Sequence, residues 1–311
     1  MDVTGQHSAT IESALARGDA ARSMLVASWS RSARLHGLTP TERTQAERMT
    51  EAELMKARDR MGPMIHAAKP SLDRLFQAVG GVGCCVLLTD RDGIPLERRG
   101  APVDDATFAE WGLWLGTQWT EAAQGTNGIG TCLVEERIVT IDKNQHFLAK
   151  NTILSCMTAP LFDPFGQLAG VVDVSSARAD LTDSVAALIV QALSDATARI
   201  ESQAFRDAYP MARMVMLPNA GRAALLAVDH DDLVIGATRA ARQQLHLAGD
   251  LSRDPQPAAD VLGLTQPETL EEAERAVLIR ALARAHGNAS GAARALGISR
   301  ATFHRKLGPR A

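Results

Sequence analysis

Met157-Thr158-Ala159-Pro160-Leu161-Phe162-Asp163-Pro164-Phe165-Gly166-Gln167-Leu168-Ala169-Gly170-Val171-Val172-Asp173-Val174 holds two apolar runs around a turn. Asp163-Pro164-Phe165-Gly166 carries the turn residues, and the flanking runs read as antiparallel strands. After them, Leu181, Val185, Leu188, Ile189, Ala192, Leu193, Ala196 and Ile200 repeat at helical spacing, so residues 181–204 read as a long apolar helix. Before them comes a strand-like run, Arg137-Ile138-Val139-Thr140-Ile141. Gly83–Asp90 is a short apolar run, closed by Asp90-Arg91-Asp92-Gly93 and continued by Ile94-Pro95-Leu96-Glu97, a further hairpin. Residues 104–123 hold Trp111, Trp114 and Trp119 in a helix or loop packed on the sheet, and residues 63–79 are amphipathic. Residues 63–204 therefore read as one α+β unit, a central antiparallel sheet with helices at both ends.

Around that unit the chain divides further. Residues 1–62 read as a helical N-terminal region, with Met24, Leu25, Trp29 and Leu35 on a helix over 20–36 that Gly37-Leu38-Thr39-Pro40 closes. A second small hairpin, around His230-Asp231-Asp232, and a helix over 238–247 fall in residues 205–248. Residues 249–268, rich in Gly and Pro, read as a linker before a helical end at 269–311.

The 311 residues are 46% hydrophobic and 22% charged, an ordinary globular composition that excludes collagen-like, disordered and disulfide-scaffold classes. No apolar run approaches the roughly 20 residues that span a bilayer, and the polar start shows no secretory signal. A cytoplasmic protein with free thiols at Cys84, Cys85, Cys132 and Cys156 is expected, since their spacing is not that of a zinc site. The net charge of −3 is unevenly spread: residues 275–311 carry eight Lys/Arg and no Asp or Glu, leaving −11 on residues 1–274. An acidic body with a basic end suggests a nucleic-acid-binding tail on a soluble module, which the helical pattern of that end narrows to double-stranded DNA.

That basic end has an internal logic. Thr269 and Glu272 form a capping box, and Ala276, Val277, Ile279, Leu282 and Ala283 face inward on the helix that follows. Gly287-Asn288 ends it and starts a second helix; Gly297 allows a left-handed turn, Ile298 plugs the core and Ser299 caps a third helix, Arg300–Leu307. A third helix carrying Arg300, Thr302, His304, Arg305 and Lys306 suits a major groove, where Arg reads guanine and Lys, Ser and Thr hold phosphates.

The run from Glu274 through Gly287-Asn288-Ala289-Ser290-Gly291-Ala292-Ala293-Arg294-Ala295-Leu296-Gly297-Ile298-Ser299 to Leu307 resembles the Fis-type helix-turn-helix. The resemblance implies that Asn288 and Ser290 touch the DNA backbone, that Ser299, Arg300, Thr302 and Arg305 sit in or beside the groove, and that the protein is a homodimer. The front of the chain resembles the GAF sensor of acetoin-catabolism-type regulators. Ser28-Trp29-Ser30-Arg31-Ser32, Gly125-Thr126-Asn127-Gly128-Ile129-Gly130-Thr131, Gln145-His146-Phe147 and Ser155–Ser175 carry that likeness, and residues 221–247 look like the shortened PAS-like piece that often follows. Such regulators usually place an AAA+ motor between sensor and helix-turn-helix. Here no GxxxxGK[ST] loop occurs and the linker is too short to hold one, so regulation by occupancy and contact with RNA polymerase or another regulator is expected.

The resemblance puts a pocket under sheet-covering helices, with Trp111, Trp114, Trp119, Cys132, His146 and Cys156 as ligand-binding candidates for a small-molecule effector. The tryptophans equally suit core anchoring, His146 a loop cap, and the cysteines small buried hydrophobes or redox sensors. Gly125–Gly130 reads as a turn before a strand, because neither P-loop nor Rossmann spacing follows. No cofactor is identified. The reading is a non-enzymatic DNA-binding regulator; the alternatives are a GAF-fold thiol enzyme of the methionine sulfoxide reductase kind and a partner-dependent co-regulator.

Overall fold

Strand pairing in the computed structural model runs β2-β1-β5-β4-β3, all antiparallel, and this five-stranded sheet organises the first 208 residues. The structure describes residues 3–43, 47–178, 180–218, 224–264 and 269–307. Residues 221–223 of the PAS-like segment, 265–268 of the expected linker and the basic residue Arg310 lie outside them. The elements in chain order are α1 (Val3–Arg17), α2 (Met24–Ser30), α3 (Glu51–Arg60), α4 (Gly62–Val79), β1 (Cys84–Asp90), β2 (Pro95–Arg99), α5 (Asp105–Glu110), α6 (Glu121–Gln124) and α7 (Gly128–Glu135). Then come β3 (Val139–Asp142), β4 (Ser155–Phe162), β5 (Leu168–Ser176), α8 (Asp183–Ala208), β6 (Arg213–Met216), β7 (Leu225–Val228), β8 (Leu233–Ala237) and α9 (Arg239–Leu245). The chain closes with β9 (Gln256–Pro257), α10 (Ala258–Val261), α11 (Leu270–Arg284), α12 (Ala289–Ala295) and α13 (Arg300–Leu307).

The three predicted hairpins share one device. Asp90, Asp163 and Asp229 each accept two backbone N–H groups, from residues two and four further on, at 2.8–3.0 Å. Each carboxylate thereby pins its own turn, and a positive φ at Gly93, Gly166 and Asp232 turns the chain back. Alternation along β1 then sorts the core. Cys84, Val86 and Leu88 join Leu72, Leu75, Leu193 and Ile200 under α4 and α8, whereas Cys85 and Leu87 join Phe108, Leu113, Trp119 and Ile129 on the opposite face.

Residues 1–258 form one compact unit and 259–311 a second. The first includes α1 and α2, which cover the loop 145–151: Trp29 Nε1 donates to the Gln145 carbonyl at 2.8 Å, and Ala149 N to the Pro40 carbonyl at 2.8 Å. It also includes the second sheet, ordered β6-β7-β8-β9. Within the stretch expected as linker, Gln256–Pro257 pair with Leu233–Val234 as that sheet's fourth strand, and α10 follows.

One reading of the glycine-rich segment is corrected. Gly125–Thr131 is not merely a turn before a strand: Asn127 accepts from Gly130 N at 2.8 Å and caps α7. Gly128 and Gly130 look like helix breakers, yet they are there for clearance. A Cβ on Gly128 would stand 2.5 Å from Thr158 Oγ1 and 2.7 Å from Cys156 Cβ; one on Gly130 would stand 2.6 Å from Glu121 N. Among the described residues, no helix is long and apolar enough to cross a membrane.

Candidate functional site

The second unit is built around Phe303. Its buried ring packs with Leu278, Ala281, Ala292 and Ala293, and Leu282, Ile298 and Leu307 close over this cluster. The inward face expected for α11 is corrected: Val277, Ile279 and Ala283 are exposed, and the buried stripe is set one position over, at Leu278 and Ala281. Small residues at Ala292 and Ala293 let α12 approach α11 closely. Both expected caps are present, Thr269 with Glu272 as a capping box and Ser299 accepting from Thr302 N at 3.0 Å, and Asn288 supplies a third by accepting from Ser290 N and Gly291 N. Gly297 has φ +68° between α12 and the last helix.

With Phe303 and Leu307 inward, helical spacing puts Ala301, Thr302 and Arg305 on the opposite side of α13, with Arg300 and His304 on one flank. Ser299, Arg300, His304 and Arg305 are exposed, and neither Arg300 nor Arg305 has an ion pair among the described residues. Lys306 differs: its ammonium pairs with Glu274 on α11, which already spends its charge inside the unit. Asn288 is likewise engaged, its carboxamide oxygen holding the α12 cap, while Ser290 is exposed beside it.

In the first unit the six ligand candidates separate into four places. Trp119 is fully buried with its Nε1 donating to the Gly112 carbonyl at 2.8 Å, a core anchor. Cys132 is buried on α7 and donates its thiol proton to the Arg137 carbonyl at 3.2 Å. His146 and Cys156 meet: Nε2 lies 3.5 Å from Sγ, and Nδ1 lies 3.0 Å from the Lys143 carbonyl, the contact that fixes the tautomer. Trp111 and Trp114 stand elsewhere, over Phe108 and Arg98.

The Cys156 end opens into a polar row across the sheet. Thr158 Oγ1 and Ser175 Oγ donate to Asp173 at 2.5 and 2.6 Å, and Ser175 Oγ lies 3.1 Å from Cys156 Sγ. Burial sets the protonation states here. It holds the His146 imidazole neutral by lowering its pKa to about 4, raises the Asp173 carboxyl to about 6, and lifts the Cys156 and Cys85 thiols well above the ordinary thiol range. A protonated, enclosed thiol beside a neutral imidazole is no nucleophile.

A second buried network went unread in the sequence. Arg31 spans Glu121 with two hydrogen bonds of 2.7 and 2.9 Å and reaches Glu135 at 3.1 Å. Ser28 Oγ donates to Glu121 at 2.5 Å and sits 2.7 Å from Thr126 Oγ1, with Ser32 alongside. The Ser28–Ser32 motif is thus a latch joining α2 to α6 and α7. For metals, Asp229, His230 and Asp231 bring ligand atoms within 4.8 Å of one another, but on a turn where Asp229 already serves two amides.

Comparison with known proteins follows the same division. Residues 5–202 match the family described as "MimR, N-terminal domain", and residues 269–308 that described as "Bacterial regulatory protein, Fis family". The acetoin catabolism regulatory protein of Cupriavidus necator is 31% identical over 242 residues, 76% of this chain and 36% of that protein. The propane 2-monooxygenase operon transcriptional activator MimR of Mycolicibacterium smegmatis is 30% identical over 159 residues, 50% of this chain and 26% of that one. The acetoin dehydrogenase operon transcriptional activator AcoR of Bacillus subtilis is 32% identical over 127 residues, 41% and 21% respectively. The chain spans about a third or less of the length of these relatives. In fold it is similar to a chain of the Escherichia coli DhaR(N)–DhaL complex, with TM-score 0.54 and 16% identity over 72% of this chain and 76% of that one.

Proposed function

The chain belongs to the family of the MimR N-terminal domain, and from that premise we propose that it is a homodimeric cytoplasmic transcriptional regulator whose Fis-type unit binds an operator. Its α+β unit tunes that binding in response to a small-molecule effector. The observation that carries this reading is the exposed side of α13: Thr302 and Arg305 face away from Phe303, which locks the helix in place, and Arg300 is exposed on its flank. The names of its relatives, regulators of small-molecule catabolism, support the effector. Enclosed, protonated thiols favour an effector over a redox signal. Among the described residues between α8 and α11 stand a small sheet and α9–α10. That supports action by occupancy and contact with polymerase or another regulator, without ATP-driven sigma-54 activation.

Fluorescence anisotropy over a salt series tests it, with duplex from upstream of the protein's own operon against random duplex. Selective, salt-dependent binding is expected for the full chain and none for a chain ending at residue 268. Arg300→Ala should weaken the selective site by about 1–3 kcal/mol while leaving random duplex nearly unchanged. Equal binding to both duplexes at every salt concentration would favour a partner-dependent co-regulator.

A further inference from the structure

Among the described residues, Arg98 is the one side chain with two buried nitrogens lacking any partner, Nε and Nη2. It projects from β2, opposite Leu87 in register, and its side chain is only 9% exposed. Nη1 donates to Asp105 Oδ1 at 2.7 Å. The guanidinium carbon lies 4.3 Å from the Trp114 ring centroid and 5.8 Å from that of Phe108, whose ring meets Trp111 edge-on at 5.9 Å. Asp105, partly exposed, occupies one nitrogen and leaves the opposite edge of the fork free.

That edge is specific. The Nε–H and one Nη2–H of a guanidinium point side by side, at the spacing of two carboxylate oxygens. Buried donors of this kind are nearly always paired, and leaving them unpaired costs more than a made hydrogen bond returns. We propose that Arg98 anchors a binding site for a small carboxylate, whose two oxygens accept from Nε and Nη2 and whose apolar body lies against Trp114 and Phe108. Gly100 is what covers the fork, since a Cβ there would overlap Nη2. Directly after it in sequence, Ala101 lines, with Val103, Phe108 and Trp111, an open groove of about 380 Å³. A ligand arriving from the groove reaches the fork by displacing Gly100. This deepens the effector reading above and rests on it for the consequence at DNA, though not for the binding itself.

The test titrates the full chain with straight-chain monocarboxylates, acetate through hexanoate, and with the matching amides, read by calorimetry and tryptophan emission. Saturable carboxylate binding that tightens with chain length is expected, with no response to the amides. Arg98→Lys keeps the charge and the Asp105 pair without the fork, and should weaken binding about 10- to 100-fold. Trp114→Phe should keep the heat of binding and lose most of the emission change, and it decides the matter if Arg98→Lys fails to fold. No saturable response in the wild type, equal response to the amides, or unchanged affinity in Arg98→Lys would overturn the proposal. Operator anisotropy in the same samples separates the two readings. Carboxylate binding without operator selectivity sustains this site and sinks the regulator reading alone.

Discussion

Asp173 and His146 sit in the same polar row with opposite linkage to pH. Asp173 is raised from 3.8 to about 6, so the fold binds its proton more tightly than the unfolded chain does; that stability is complete below 3.8 and lost as pH rises through 6. His146 is lowered from 6.5 to about 4, so its share is complete above 6.5 and lost as pH falls towards 4. Each amounts to roughly 3 kcal/mol at about 1.4 kcal/mol per pKa unit, and in the wild type they largely offset each other. Removing one should expose the other. Urea midpoints between pH 4 and 7 should show Asp173→Asn gaining up to about 3 kcal/mol on the wild type as pH rises, and His146→Gln gaining a similar amount as pH falls. Curves parallel to the wild type would mean that neither group is perturbed. Beside them, Gly128→Ala should cost about 1–3 kcal/mol despite the better helix propensity of Ala, because its Cβ meets Thr158 and Cys156. A urea titration with unchanged m checks it.

At the scale of elements, the decisive question is what holds α2 on the sheet-covering helices. Glu121 answers both Ser28 and Arg31 from inside the protein. Glu121→Ala leaves Arg31 with Glu135 alone, and the expected loss is about 3 kcal/mol, the low end for breaking a buried pair because Arg31 keeps some water. Limited proteolysis should then cut within residues 1–43 well before the sheet is touched; uniform digestion would mean the latch is not local. The sequence shows the strands and hairpins because Asp, Gly and alternation are local signals, and it shows α11–α13 because each cap lies within three residues of its helix. It hides the latch because Ser28 and Glu121 are 93 positions apart. It hides α7 because glycine chosen for close approach is indistinguishable, locally, from glycine that breaks a helix. Trp111 and Trp114 were legible as candidates, but Arg98 was not: a strand arginine gives no sign that two of its donors lie buried and unpaired.

For the whole molecule, two compact units mean that a single unfolding free energy does not describe the chain. Among its described residues the second unit offers only five buried apolar side chains, Leu278, Ala281, Ala292, Ala293 and Phe303, so little apolar surface holds it together. Calorimetry should therefore resolve two transitions, the second unit melting first. Phe303→Ala removes the largest of those five, at about 3–5 kcal/mol where such a ring is fully enclosed. That exceeds what a core this small has to spare, so the first transition should vanish and operator binding with it. The transition of residues 1–258 should stay where it was, and Gly128→Ala should do the reverse, lowering the upper transition alone. The charge distribution sharpens the contrast. Affinity for DNA rests on the basic end against an acidic body, so the salt slope of operator binding should be unchanged in Gly128→Ala and fall by about 1 in Arg305→Ala. Lys306→Ala should change the slope less, because Glu274 already neutralises that ammonium. A single transition shifted equally by Phe303→Ala and Gly128→Ala would instead mean that the units unfold as one cooperative block.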